Sequence, residues 1–112
     1  MSNGKNVRPA KWQNVLDLYD NGEYSAIWGN YDGSNNKTLG VRWNGGEGEL
    51  GYPNMAGNPV WYVEPDFLHA PLLHKIFSDV KNNNNLGSID NILTALQDVL
   101  NYNQNQNSDR RS

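Results

Sequence analysis

The stretch Thr38–Trp43 (TLGVRW), followed at once by Asn44-Gly45, decides the fold class of this chain. Its residues alternate in character, as expected of a β-strand with two different faces. The two faces are Leu39, Val41 and Trp43 on one side and Gly40, Arg42 and Asn44 on the other. Asn-Gly favours a type I′ turn, because both residues tolerate positive φ. The stretch therefore predicts a β-hairpin whose second strand returns near Glu49–Tyr52.

The sequence around this hairpin has the composition of further strands and turns. Eight of the 11 glycines lie between Gly29 and Gly57, among aromatic and β-branched residues. Tyr24–Tyr31 is expected to form the preceding strand, and Val60–Val63 a last strand that Pro65 closes. The middle of the chain thus predicts a three- or four-stranded antiparallel sheet.

Apolar residues recur at helical spacing on both sides of this middle region. Trp12, Val15, Leu16 and Tyr19 occupy positions i, i+3, i+4 and i+7, which predicts an N-terminal helix over Pro9–Tyr19. Two further helices are expected after the sheet. The first begins at Asp66 or at Pro71, with both starts left open, and Ser88 caps the second. The predicted fold class is α+β, with the N-terminal helix, the antiparallel sheet and two C-terminal helices on one face of the sheet.

Length and composition favour one domain with polar ends. The 112 residues fit a single domain, expected over residues 8–100, with a disordered lead-in at 1–7 and an Asn/Gln-rich disordered tail at 101–112. The 19 Asn and 4 Gln together exceed the 21 charged residues. No apolar run approaches the length of a membrane span, and the first residues lack the apolar core of a signal peptide, so we expect a cytoplasmic protein without membrane contact.

Several kinds of chemistry find no support in the sequence. The chain has no cysteine, which excludes disulfides and thiolate chemistry. Gly46–Gly51 (GEGELG) fits a dinucleotide-binding pattern, but it runs into Tyr52-Pro53 instead of a helix. His69 and His74 are five residues apart and would diverge on a helix. We therefore predict no catalytic residue, no cofactor and no metal site.

Aromatic residues are the most informative feature. Trp28, Trp43 and Trp61 fall one on each predicted strand. Because helices cover only one side of a small sheet, some of these rings are expected on the other side, where they can contact a partner. The leading hypothesis is a small non-enzymatic protein-interaction module: a regulator, inhibitor or adaptor. The predicted contact residues are Trp28, Arg42, Tyr52 and Trp61.

Two other classes of function remain open. One is a small-molecule or carbohydrate-binding domain with weak hydrolase activity, centred on Gly45–Pro59 and using Glu47, Glu49 and Glu64. The other is single-strand nucleic-acid binding on sheet aromatics, which the net charge of -3 disfavours. A homodimer would also be compatible with an exposed strand edge and an aromatic face.

Three motifs carry a resemblance to known sequences: Leu39–Asn44 (LGVRWN), Gly51–Asn54 (GYPN) and Pro59–Asp66 (PVWYVEPD). In their order they resemble a group of small uncharacterised single-domain proteins from bacteria and their mobile elements. The resemblance implies a self-standing domain and brings no activity, cofactor or catalytic residue.

Overall fold

The structure is a computed structural model that describes Pro9 and residues 11–111, with side chains as far as Tyr102. Strands and helices follow one another in the order expected of an α+β protein. The strands are β1 (Trp12–Asp20), β2 (Tyr24–Tyr31), β3 (Lys37–Trp43), β4 (Asn54–Met55), β5 (Asn58–Pro59) and β6 (Tyr62–Val63). The helices are α1 (His69–Asn82) and α2 (Ile89–Arg111).

Four of the strands form an antiparallel sheet in the order β1-β2-β3-β6. The predicted α+β class and the antiparallel sheet are confirmed, and the sheet has the larger of the two expected strand numbers. β2 and β3 pair along their whole length, from Tyr24 opposite Trp43 to Asn30 opposite Lys37. β4 and β5 form a separate small hairpin, inserted just before β6.

The predicted N-terminal helix over Pro9–Tyr19 is wrong, because strand β1 occupies Trp12–Asp20. β1 departs from regular register twice, between Gln13 and Leu16 and between Asp17 and Tyr19, and Asn14 has a φ of 55°. Each irregularity adds a residue and so changes which face the following side chains occupy. The apolar residues are consequently spaced by three and four along a strand.

The first turn after β3 also differs from its prediction. Trp43 and Tyr52 exchange two backbone hydrogen bonds of 2.7 and 2.9 Å, so the connection spans residues 44–51 and is not a two-residue turn at Asn44-Gly45. Asn44 is fully buried and its side chain accepts a hydrogen bond from Ser25 Oγ at 2.8 Å. The geometry of a type I′ turn, with two successive positive φ values, occurs instead at Ala56 and Gly57, between β4 and β5 (φ 51° and 80°).

The two C-terminal helices are confirmed. A 3₁₀ turn over Asp66–Leu68 leads into α1, so Pro71 is the third residue of the α-helix, where no intrahelical N–H bond is required. Ser88 Oγ accepts a hydrogen bond from Asn91 N at 3.2 Å, as expected of the α2 cap. No helix in the described part of the chain is long and apolar enough to cross a membrane.

The backbone of α2 continues through Asn101 to Arg111, although composition predicts a disordered tail from residue 101. The division into a domain and a tail stays a prediction. The predicted lead-in at residues 1–7 lies outside the described residues.

The sheet is covered on both faces. On one face, Ala26, Trp28, Leu39 and Val41 pack against both helices, for example against Leu73 of α1 and Ile92 of α2. This confirms that the C-terminal helices share one face. On the other face, Trp12, Ile27 and Trp61 form a smaller cluster. Gly40 makes room for it, because a Cβ there would lie 2.8 Å from the Trp12 ring.

Polar contacts tie β1 to α1 at the edge of the larger cluster. Lys75 Nζ and Tyr19 Oη each donate a hydrogen bond to the Asp79 carboxylate at 3.1 Å. These two bonds lower the pKa of Asp79 below its ordinary value of 3.8. The hydrogen bond from Tyr19 thus links the edge strand β1 to Asp79 of α1, whose carboxyl group favours the ionised form.

Candidate functional site

Four aromatic side chains meet at one end of the sheet, and we call Tyr24, Trp43, Tyr52 and Tyr62 the aromatic patch. The backbone register explains why they share a face. Trp43 lies opposite Tyr24 on β2 and opposite Tyr52 on its other side. Tyr62 lies opposite Val41, two residues before Trp43 on β3. The patch therefore extends across neighbouring strands on the face that the helices cover farther along.

The helices leave this end of the sheet open. Trp43 is 55% exposed, Tyr52 67% and Tyr62 49%, which is unusual for rings of this size. Tyr24 is half-buried and packs edge-on against Trp43, with 4.6 Å between the ring centroids. Together with Pro53 and other neighbours, the four rings line a groove of about 240 Å³. The patch is a shaped surface and not a set of isolated rings.

A buried arginine holds the backbone around the patch in place. Arg42 is 1% exposed and its guanidinium donates hydrogen bonds to the carbonyl oxygens of Leu50, Pro53 and Val60. Burial lowers the pKa of this guanidinium, and its Nε has no hydrogen-bond partner. The three carbonyls come from both ends of the inserted hairpin and from the preceding loop. Arg42 thus fixes the segment that carries Tyr52.

One carboxylate lies beside the rings. Glu64 follows β6 and is a half-buried residue lining the groove. Burial raises the pKa of Tyr24 above its ordinary value of 10.0, and the negative charge of Glu64 raises it further. The Glu64 charge therefore affects the half-buried Tyr24 hydroxyl of the patch.

A second cavity of about 320 Å³ lies at the opposite end of β2 and β3, against the last described side chains of α2. Its polar groups are engaged with one another. Trp28 Nε1 donates a hydrogen bond to Asp98 Oδ2 at 2.8 Å, and Lys37 Nζ lies 3.9 Å from the same oxygen. These contacts of Trp28, Lys37 and Asp98 link the sheet to α2.

His69, at the wall of this cavity, also has a structural role. Its Nε2 lies 3.1 Å from the Glu64 carbonyl oxygen, 3.2 Å from Thr38 Oγ1 and 3.4 Å from Leu39 N. Glu64 N donates a hydrogen bond to Leu39 O. In an antiparallel pair, Leu39 N would donate the second bond to Glu64 O, but the His69 imidazole lies close to both of these atoms and takes the place of that bond. His69 is 5% exposed, so it offers little surface to a ligand.

The four residues predicted from the sequence as partner contacts differ in their exposure. Trp28, Arg42 and Trp61 are 2%, 1% and 5% exposed, so their side chains offer little surface to a partner, whereas Tyr52 is exposed in the aromatic patch. The second face of the sheet, on which these contacts were expected, is covered by the chain after β3 and by Trp12.

Of the three acidic residues of the alternative ligand loop, only Glu64 lines a groove. Glu47 and Glu49 are exposed and line neither of the two cavities described. The sequence argument missed Tyr24, Trp43 and Tyr62 as a group. The available signal was the position of Trp43 as the last residue of its strand, where helices packed on the middle of a sheet need not reach.

Among the described residues, no group of three or more His, Cys, Asp or Glu side chains is placed to hold a metal ion. Comparisons with protein-family models, with curated proteins and with solved structures found no match to this chain. The resemblance of its three central motifs to small bacterial proteins stays a prediction.

Proposed function

We propose that this protein is a small non-enzymatic interaction module that binds another protein through the aromatic patch. One observation carries the proposal: three large aromatic side chains, each about half or more exposed, lie side by side on one end of a hydrogen-bonded sheet. Exposed aromatic clusters of this kind are typical of binding surfaces, because rings bury much apolar area at a low cost in side-chain entropy.

The rigidity of the patch supports the same function. Tyr52 is anchored on one side by its backbone bonds to Trp43 and on the other by the Arg42 bond to the Pro53 carbonyl. A surface that is already ordered loses little conformational entropy when a partner binds.

The other two classes find less support. A carbohydrate site with paired acids needs two carboxylates in one cleft, and Glu47 and Glu49 lie outside the groove. A single-strand nucleic-acid site needs exposed positive charge beside the rings. In the part of the chain that the structure describes, the cation that lines the groove is Arg42, and it is buried against three carbonyls.

The test compares two sets of exposed aromatics. The immobilised protein is used to capture partners from the lysate of its source cells, and the Tyr52→Ala/Tyr62→Ala variant is expected to lose the captured partner. Phe67→Ala is the matched control, because Phe67 is 76% exposed and lines neither cavity. Circular dichroism checks that each variant is folded. Undiminished capture by the double variant, or equal loss with Phe67→Ala, would contradict the proposal.

A further inference from the structure

We infer that the aromatic patch recognises a lysine or arginine side chain of its protein partner, with Glu64 as the counter-ion. The inference rests on the proposed function and specifies the chemistry of the partner. Three features of the groove support it: its ring faces, its carboxylate and the burial of Arg42, the cation that lines it among the described residues.

The rings provide the first feature. The faces of Trp and Tyr carry negative electrostatic potential and attract ammonium and guanidinium groups, Trp most strongly. Trp43 and Tyr24 meet edge to face at an interplanar angle of 67°, which leaves ring surface directed into the groove that both of them line. A cation entering this groove meets more than one ring.

Glu64 provides the second feature. Within the described residues, the close pairs of a lysine and a carboxylate are Lys37–Asp98 and Lys75–Asp79. Glu64 belongs to neither of them, although it is half-buried beside apolar rings. Its carboxylate therefore has no ion-pair partner among the described residues, and an incoming cation would supply one.

Arg42 provides the third feature, because it is the cation that could have neutralised Glu64 from within. Its guanidinium is instead committed to the carbonyls of Leu50, Pro53 and Val60. The net charge of -3 also favours the approach of a basic segment to the protein as a whole.

The small size of the groove favours a single side chain over a small-molecule ligand. Its volume of about 240 Å³ lies below the roughly 300–1,000 Å³ of ordinary small-molecule pockets. We therefore commit to a peptide segment of a partner protein that inserts one exposed lysine or arginine between the rings.

The test uses two capped tripeptides, Gly-Arg-Gly and Gly-citrulline-Gly, which have similar shape and differ in charge. Each is titrated into the ¹⁵N-labelled protein, and the backbone amide shifts of Trp43 and Tyr62 report binding. We expect the arginine peptide to bind about fivefold or more tightly than the citrulline peptide, with a preference that decreases as salt is added. Glu64→Gln should remove most of the preference. Glu49→Gln, an exposed acid outside the groove, is the control and should leave the preference unchanged.

Equal affinity for the two peptides, or no shift at the patch with either at millimolar concentration, would overturn the inference. So would a preference that Glu64→Gln leaves intact. The proposed function would then still be decided by partner capture with the Tyr52→Ala/Tyr62→Ala variant, so the two failures are distinguishable.

Discussion

Replacing Arg42 by methionine should destabilise the protein and release the loop that carries Tyr52. Methionine is unbranched like the aliphatic part of arginine and fills the space of that part, but it donates no hydrogen bond. The carbonyls of Leu50, Pro53 and Val60 would lose a shared donor that is 1% exposed in the folded protein. The change therefore separates the hydrogen bonds of the side chain from its packing.

The expected magnitude follows from two opposing contributions. Hydrogen bonds to a charged group are worth about 1.5–3 kcal/mol each, which gives about 4.5–9 kcal/mol for three. Removing a buried ion returns its desolvation penalty of several kcal/mol, and the Nε without a partner adds to that return. We expect a net loss of about 2–4 kcal/mol, a large share of the roughly 5–15 kcal/mol that stabilises a typical domain.

Two measurements check this prediction. Urea unfolding followed by circular dichroism gives the change in the free energy of unfolding. Cleavage by a glutamyl endopeptidase reports on the loop, because Glu47 and Glu49 lie within it. Cleavage after these residues should accelerate in Arg42→Met. Lys81→Met is the matched control, since Lys81 is an exposed cation and its loss should change stability by less than about 0.5 kcal/mol. Similar stability and cleavage in the two variants would refute the role assigned to Arg42.

Three further predictions concern the rest of the fold. Asp98→Ala should destabilise the protein by about 1–3 kcal/mol, because it leaves the buried Trp28 N–H without its acceptor; denaturant unfolding checks this, and an unchanged midpoint would count against the link. Since the pKa of Asp79 lies below 3.8 in the folded protein, its contribution to stability is complete above that value and is lost as the pH falls through the lower folded-state pKa. Stability measured by unfolding across acidic pH should thus fall more steeply for the wild type than for Asp79→Asn, and parallel profiles would disprove the linkage. Gly40→Ala should cost about 1–3 kcal/mol, because the new Cβ would lie 2.8 Å from the Trp12 ring, and a thermal midpoint equal to the wild type would show that the ring moves freely.

The error at the N-terminus has a physical cause in the irregular strand. In a regular strand, alternate residues share a face, whereas the shifts in β1 place Trp12 and Val15 on one face and Leu16 and Tyr19 on the other. The resulting spacing coincides with that of a helical stripe. Alternation without interruption, as in β2 and β3, was predictable from the sequence because no such shift disturbs it.

The sequence indicated the type of the candidate site, an aromatic surface, but not which residues form it. Aromatic enrichment predicted a binding surface, which stays a prediction, and of the predicted contacts Tyr52 is exposed. Arg42 was predicted as a partner contact because it lies on the strand face opposite Trp43, where a planar cation can stack on a partner. Its burial depends on three backbone carbonyls that only the folded loop brings together. Trp43 is exposed because the helices do not reach the end of β3, and its place as the last residue of that strand was the sequence signal for this.

The inserted hairpin between Pro53 and Val60 is a suitable place to insert additional sequence. Val60 N donates a hydrogen bond to Pro53 O at 3.1 Å, and Arg42 bonds to the carbonyls of both residues, so the base of the hairpin is closed independently of its tip. Ala56 and Gly57 at the tip are exposed. Sequence added between them would be displayed near the aromatic patch while its strand register stays unchanged, so the length of this tip can vary without rebuilding the surface beside it.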